Sequence, residues 1–339
     1  MNFLKPSRRA FLAGGVSLAA ASLAAPAIVR AAPTKMKFSG TAGVQNPIAI
    51  RIVEATNRIR EETGGEIDIT FFPAGQLGGE VDSISQLRTG AIDFTHLSAV
   101  TLSSVVPSAS ISGLGFAFGS YDKVWAAMDG ELGALVRADM EKVGIVGMER
   151  MMDYSFRHLT ATDKQINTPE DLQGFKMRVP PGPLWTSLFN ALGAAPTTVA
   201  IAEVYTGLLT GVIDGTDLPL LTMADLKIIE VQKFVSLTSH MWDGPWLIAN
   251  KASIESLSAD HSAIVKKNFE QAALDQRGDV VAFNESFIGS AGSSGLTIIE
   301  PDREAFRKKL VEAGFYKEWK GRFSPEAWTA LEKVTGPLG

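Results

Sequence analysis

Two periodicities alternate along this chain, and their order restricts the fold more than any other feature. Ile48, Ile52, Ala55 and Ile59 recur at helical spacing, and Thr63-Gly64-Gly65 follows as a glycine stop. Ile67, Ile69 and Phe71 then alternate as one face of a strand closed by Pro73. A shorter helix comes next, with Val81, Ile84 and Leu87 inward and Gly90 as its C-cap, and residues 91–97 read as another strand. Helix, strand, helix, strand with short connections requires parallel strands joined by helical crossovers. Such crossovers cover both faces of a sheet, so the fold class is α/β.

The alternation continues. Residues 122–142 read as helices, 143–148 as a buried strand and 154–160 as an extended segment leaving this lobe. Thr168-Pro169-Glu170-Asp171 combines an N-cap residue, Pro at the first helical position and acids in the first turn, and Gly174 ends that short helix. Residues 176–179 form a strand stopped by Pro180-Pro181, and Leu184, Trp185, Leu188, Phe189 and Leu192 stripe the helix after it. Residues 231–238 and 246–249 read as strands. A long helical pattern covers 258–288, with Ile264, Val265, Phe269, Ala272, Ala273, Val280 and Phe283 inward, a length that implies a helix bridging two lobes. Ser324-Pro325-Glu326 opens the last helix with the cap chemistry of Thr168. There is no internal repeat, low-complexity tract or long linker. The lobes are therefore expected to be discontinuous: 34–154 with 244–283 in lobe I, 155–243 with 284–332 in lobe II, and a ligand cleft between them.

Lys5, Arg8 and Arg9 precede an apolar, small-residue stretch at 11–27, and Val29-Arg30-Ala31 offers cleavage positions before Ala32. Residues 1–31 therefore read as an export signal. Ser7-Arg8-Arg9-Ala10-Phe11-Leu12 fits the twin-arginine pattern, with an ordinary secretory signal as the alternative. The roughly 300 residues that remain are enough for two lobes with substantial cores. No later stretch is long and apolar enough to span a bilayer, so a soluble mature protein in the periplasm is expected. The chain has no cysteine, which excludes disulfides, thiol catalysis, a zinc–thiolate site and a lipidated cysteine anchor. A net charge of -5 provides no basic footprint for nucleic acid.

Enzyme signatures are missing: no P-loop, no His-Glu-x-x-His and no Gly-x-Ser-x-Gly. Gly113-Leu114-Gly115 is followed by Gly119, one place too late for a dinucleotide fingerprint. The four histidines, His96, His158, His240 and His261, are isolated and lack metal-ligand spacing. Neither catalysis, a cofactor nor a metal is expected. Arg178 is different, because it alternates out of the apolar strand Phe175-Lys176-Met177-Arg178-Val179 between Gly174 and Pro180. A guanidinium there offers two parallel N–H donors that match a carboxylate. A structural ion pair is the other use of such an arginine.

Several segments, taken in order, narrow the choice. They are Tyr154-Ser155-Phe156-Arg157-His158, Gly174 to Pro180, Leu192-Gly193-Ala194-Ala195-Pro196, Glu203-Val204-Tyr205 and Gly211 to Pro219. Gly75-Gln76-Leu77-Gly78-Gly79-Glu80 and Gly90-Ala91-Ile92-Asp93 precede them. In this order the chain resembles the substrate-binding subunits of tripartite ATP-independent periplasmic (TRAP) transporters, of the dicarboxylate-binding-protein family. The resemblance runs from about Lys35 to Leu331. It implies a two-lobed periplasmic-binding-protein fold with a long helix spanning both lobes. It also implies a periplasmic receptor that captures a small organic acid and hands it to the small and large membrane subunits. The arginine of the Gly-x-Lys-x-Arg segment clamps the ligand carboxylate in this family, and Arg178 stands in that place. Arg157 matches a second arginine lining the cleft in several members.

One departure stands out. Many members read Asp-Gly-x-Glu-Asn-Pro, with the Asn bonded to ligand, where this chain has Asp214-Gly215-Thr216-Asp217-Leu218-Pro219. Either Leu218 faces a less polar ligand, or Leu218 points into the core and Asp217 lines the cleft. Trp185, Trp242 and Phe118 add candidate apolar lining and favour an apolar or aromatic acid, while His96 and Ser98 end a strand, where clefts form. A dicarboxylate, a 2-keto acid and an aromatic monocarboxylate stay open as ligands. The alternatives are the receptor of another import system, such as an ABC importer, and a twin-arginine-exported enzyme.

Overall fold

The computed structural model describes residues 32–339, so the export signal expected over 1–31 lies outside the described residues. Its strands in chain order are β1 (Thr34–Ser39), β2 (Ile67–Phe72), β3 (Phe94–Ser98), β4 (Ile145–Gly147), β5 (Phe156–Ala161), β6 (Lys176–Val179), β7 (Ala195–Thr198), β8 (Gly215–Leu218), β9 (Phe234–Trp242), β10 (Pro245–Asn250) and β11 (Thr297–Ile299). They form two sheets, ordered β2-β1-β3-β10-β4 and β11-β9-β5-β8-β6-β7. In the first sheet β10 runs against β3 and β4, while β1, β2 and β3 are mutually parallel. In the second, β5 runs against β8 and β9, and the other pairings are parallel. The two reversed strands have one cause. β5 is the first strand after the chain leaves the first sheet, and β10 is the strand on which it returns.

Local chemistry explains the elements. Asn46 caps the helix Pro47–Glu62, its side chain accepting from Ile48 N with Pro at the first position, and Ile48, Ile52, Ala55 and Ile59 are buried as their spacing requires. These residues pack with Phe38, Phe94 and Phe269 under the first sheet. In the helix Glu80–Thr89 only Ile84 and Leu87 of the expected stripe are inward; Val81 is 63% exposed, and Ser83 is buried in its place. Helix Pro325–Thr335 was expected with lobe II. It packs instead on helices Tyr121–Met128 and Glu131–Lys142, because Trp328 and Leu331 join the cluster of Val124, Met128 and Leu132.

The long helix is Ala259–Ser290, and it packs on helix Pro47–Glu62 and on helix Leu220–Asp225 of the second sheet. Its apolar stripe is interrupted by buried Gln276 and Arg277, which the periodicity does not account for. Both serve the first crossing segment. Gln276 Nε2 donates to Asp153 O at 2.8 Å while its Oε1 accepts from Asp153 N at 2.8 Å. Arg277 donates to Met151 O and makes a two-pronged pair with Asp129. The second crossing, Asp243-Gly244, is tied to the first because Trp242 Nε1 donates to Asp153 Oδ1 at 2.8 Å. A β-carbon on Gly244 would lie 2.1 and 2.4 Å from Trp242 ring atoms and 2.8 Å from Met152 O, so only glycine fits there. Among the described residues no helix is long and apolar enough to cross a membrane.

Candidate functional site

Arg178 is the third residue of β6, Asp217 the third of β8, and Arg157 the second of the reversed β5, so all three sit at one edge of the second sheet. From the first sheet come Ser98 at the end of β3 and Glu80 at the start of helix Glu80–Thr89. Asp243 stands in the second crossing segment. Edges of this kind leave backbone and side-chain groups free for a ligand.

Arg157 is fully engaged. Its Nε donates to Asp217 Oδ2 at 2.7 Å, its Nη2 to Asp217 O at 2.6 Å, and its Nη1 reaches Asp243 Oδ2 at 3.5 Å. Its guanidinium lies 5.2 Å from the centre of the Trp185 ring. Ser98 Oγ donates to Asp243 within 2.8 and 2.9 Å of its two oxygens. His240 Nε2 stands 3.4 Å from Asp217 Oδ2. Burial works to lower the pKa of Arg157, but Asp217, Asp243 and Glu80 outweigh it and hold the value above the ordinary one. Burial likewise works to raise Asp217, and Arg157 with His240 keeps it below the usual carboxylate range.

Among the described residues Arg178 has no acid partner. It is 1% exposed, its Nε donates to Val199 O at 3.0 Å, and its Nη1 meets no acceptor. Burial lowers its pKa to about 10, with Asp217 opposing and Arg157 adding to the effect, so it stays charged at neutral pH. Trp185 Nε1 and Asp217 Oδ1 are also buried without a partner. Burial pushes Asp243 up to about 7, against the pull of Arg157 and Ser98. Partly buried Glu80 is raised by the same desolvation, against Thr101, Ser98, Arg157 and Arg178.

The structure thus brings Arg157, Arg178, Asp217, Ser98 and Trp185 into one constellation, sets His96 beside it through Tyr154 with Nε2 buried and unpartnered, and places Leu218, Trp242 and Phe118 elsewhere. Leu218 is 2% exposed and packs with Val204, Ile213, Leu220 and Val235, because β8 turns Leu218 and Asp217 to opposite faces. Trp242 is held by Asp153, and its ring meets Trp125 and Phe118 edge-on at 5.3 and 6.5 Å; both Trp242 and Phe118 thereby brace the crossing segments. His96 Nδ1 is 3.2 Å from Tyr154 Oη, and its Nε2 abuts Gly40, 2.7 Å from where a β-carbon would sit. Burial holds its pKa down at about 4, so it is neutral. Sequence reasoning does not single out Glu80 or Asp243. Asp243 could have been found from its place between two tryptophans at a lobe crossing, and Glu80 from its position after Gly78-Gly79 at a helix start.

An open hollow of about 850 Å³, bordered by Asn190, Lys309, Glu318 and Arg322, lies on the far side of helix Pro183–Ala191 and contains none of these groups. Among the described residues no group of three or more His, Asp or Glu is arranged to hold a metal ion.

Known proteins share this architecture. The profile of the bacterial extracellular solute-binding protein family 7 matches residues 38–319. An uncharacterized protein, y4mM, of Sinorhizobium fredii is 32% identical over 307 residues, or 89% of this chain, and the chain spans 56% of that protein's length. The 2,3-diketo-L-gulonate-binding periplasmic protein YiaO of Escherichia coli is 28% identical over 301 residues, covering 88% of this chain and 89% of YiaO. A TRAP periplasmic solute binding protein from Sulfitobacter, crystallised with bound β-D-galacturonate, superposes with a TM-score of 0.83 at 30% identity, covering 90% of this chain and 100% of that one.

Proposed function

The chain belongs to the bacterial extracellular solute-binding proteins of family 7, the substrate-binding subunits of TRAP transporters, and from that premise we propose that it captures a small organic acid through Arg178 and delivers it to a TRAP membrane complex. The family is one of receptors, not enzymes. The relatives support the ligand class, since one is named for a keto sugar acid and another was crystallised with a uronate. Their location supports export of this chain to the periplasm.

One observation carries the arginine reading. A buried guanidinium without a counter-charge is costly, because desolvation of a cation is repaid only by a paired and hydrogen-bonded anion. Arg157 has such partners in Asp217 and Asp243, whereas Arg178 has only the Val199 carbonyl. A ligand carboxylate meeting Arg178 Nη1 and Trp185 Nε1 would supply the missing partner. In this reading Arg157 does not clamp the ligand; it anchors Asp217 and Asp243 around it. The first sheet with its helices forms one lobe and the second sheet the other, and they close about residues 150–155 and Asp243-Gly244. The hydrogen bond from Asn46 Nδ2 to Asp225 Oδ2, 2.6 Å long, spans from the first-sheet helix to the second-sheet helix and favours the closed arrangement.

A thermal-shift screen of the purified protein against organic acids and their amides tests this. An acid should raise the melting temperature by mass action while its amide does not. Arg178→Ala should abolish the shift, and Arg178→Lys should weaken it strongly because a point charge replaces a planar fork. Unchanged shifts in both variants would assign Arg178 a purely structural role.

A further inference from the structure

The groups opposite the free arginine are acids. Asp217, Asp243 and Glu80 all act electrostatically on Arg157, so three carboxyl groups surround two guanidiniums before any ligand arrives. Burial raises both Asp243 and Glu80, and for Asp243 the nearby Glu80 and Asp217 add a smaller rise. A ligand carboxylate on Arg178 becomes a fourth acid facing two cations. A second carboxylate on the same ligand would be a fifth, facing an Arg157 whose two short bonds already go to Asp217 and whose Nη1 already reaches Asp243.

The hydrogen-bonding inventory points the same way. Unused buried donors, Arg178 Nη1 and Trp185 Nε1, match one carboxylate. Asp217 Oδ1 is an unused acceptor, and Glu80 accepts a long 3.4 Å contact from Ser98 N on its Oε1 beside a side-chain bond from Thr101. Acceptors of this kind are satisfied by hydroxyl donors and repelled by a carboxylate. Of the expected apolar lining Trp185 stays at the site, while Leu218, Trp242 and Phe118 pack in the cores.

We propose that Glu80 and Asp217 select the end of the ligand remote from Arg178, so that the site takes a singly charged, hydroxylated acid of the sugar-acid class and rejects dicarboxylates. This rests on the arginine reading above. Glu80 is the specificity-determining residue that can be changed without disturbing Arg157, since it makes no direct bond to that guanidinium, whereas Asp217 holds it.

Calorimetric titration of the purified protein with matched acids tests the proposal. The pairs are D-gluconate against D-glucarate, which differ only in the second carboxylate, and D-glucuronate against succinate. The hydroxylated monoacids should bind at least about a hundredfold more tightly than the dianions, given the cost of unpaired like charges. Glu80→Gln should weaken the monoacids by about tenfold and narrow their advantage over the dianions, because it removes charge and replaces an acceptor. Glu80→Asp, which keeps the charge and shortens the reach, should weaken the monoacids yet retain the discrimination. Tight binding of succinate or D-glucarate that is lost in Arg178→Ala would overturn the proposal and leave the arginine reading intact. An unchanged ratio in Glu80→Gln would also overturn it. Binding by no member of the panel would overturn both.

Discussion

Replacing Asp243 with Asn should stabilise the ligand-free protein, and by more at high pH than at low. Asp243 is 1% exposed and its carboxyl titrates near 7 rather than at the ordinary 3.8, mainly because burial disfavours the charged form. The folded protein therefore keeps a proton that the unfolded chain gives up. Stability falls as pH rises through the window from about 4 to about 7, and the penalty is absent below it and complete above it. A rise of about 3 units corresponds to about 4 kcal/mol above that window and to less than half of that near pH 5. Asn cannot ionise, and its Oδ1 still accepts from Ser98 Oγ. The opposing loss is the contact of Arg157 Nη1, a long one at 3.5 Å, while the two short bonds of that arginine to Asp217 remain. Asp243→Asn should thus gain about 3 kcal/mol on the parent between pH 5 and pH 8, or roughly 5–10 °C in melting temperature. The assay is thermal and urea unfolding at both pH values in ligand-free buffer. A difference that does not change with pH, or a variant less stable than the parent near pH 8, would refute the reasoning.

Two further substitutions test the packing. Leu218→Asn places an amide among Val204, Ile213 and Val235 and should cost about 3 kcal/mol, with the ligand preference of the folded fraction unchanged; a shifted preference would return Leu218 to the cleft. Gly244→Ala forces a methyl to within 2.4 Å of the Trp242 ring and should cost about 3 kcal/mol or more by denaturant unfolding, with a neutral result showing that the crossing segment can give way.

Much of the scaffold was legible because it is written in short-range patterns. The strand expected at residues 176–179 is β6 itself, and the long helix expected over 258–288 is Ala259–Ser290. Capping chemistry located several starts, such as Ser324 ahead of Pro325–Thr335. Patterns failed where a residue serves something distant. Val81 fits a helical stripe but is exposed, and Gln276 and Arg277 interrupt one because they hold the crossing backbone of residues 151 and 153.

By itself, then, the sequence determined the α/β class, the order of elements, the family and the presence of an arginine on a strand end. Periodicity, caps and motif order are properties of neighbouring residues and survive without coordinates. Which arginine is free was decided only in three dimensions. Arg157 is bound to Asp217 across 60 residues and to Asp243 across 86, and Ser98 reaches Asp243 across 145. A charge balance is a sum over everything within a few ångströms, and chain folding chooses those neighbours.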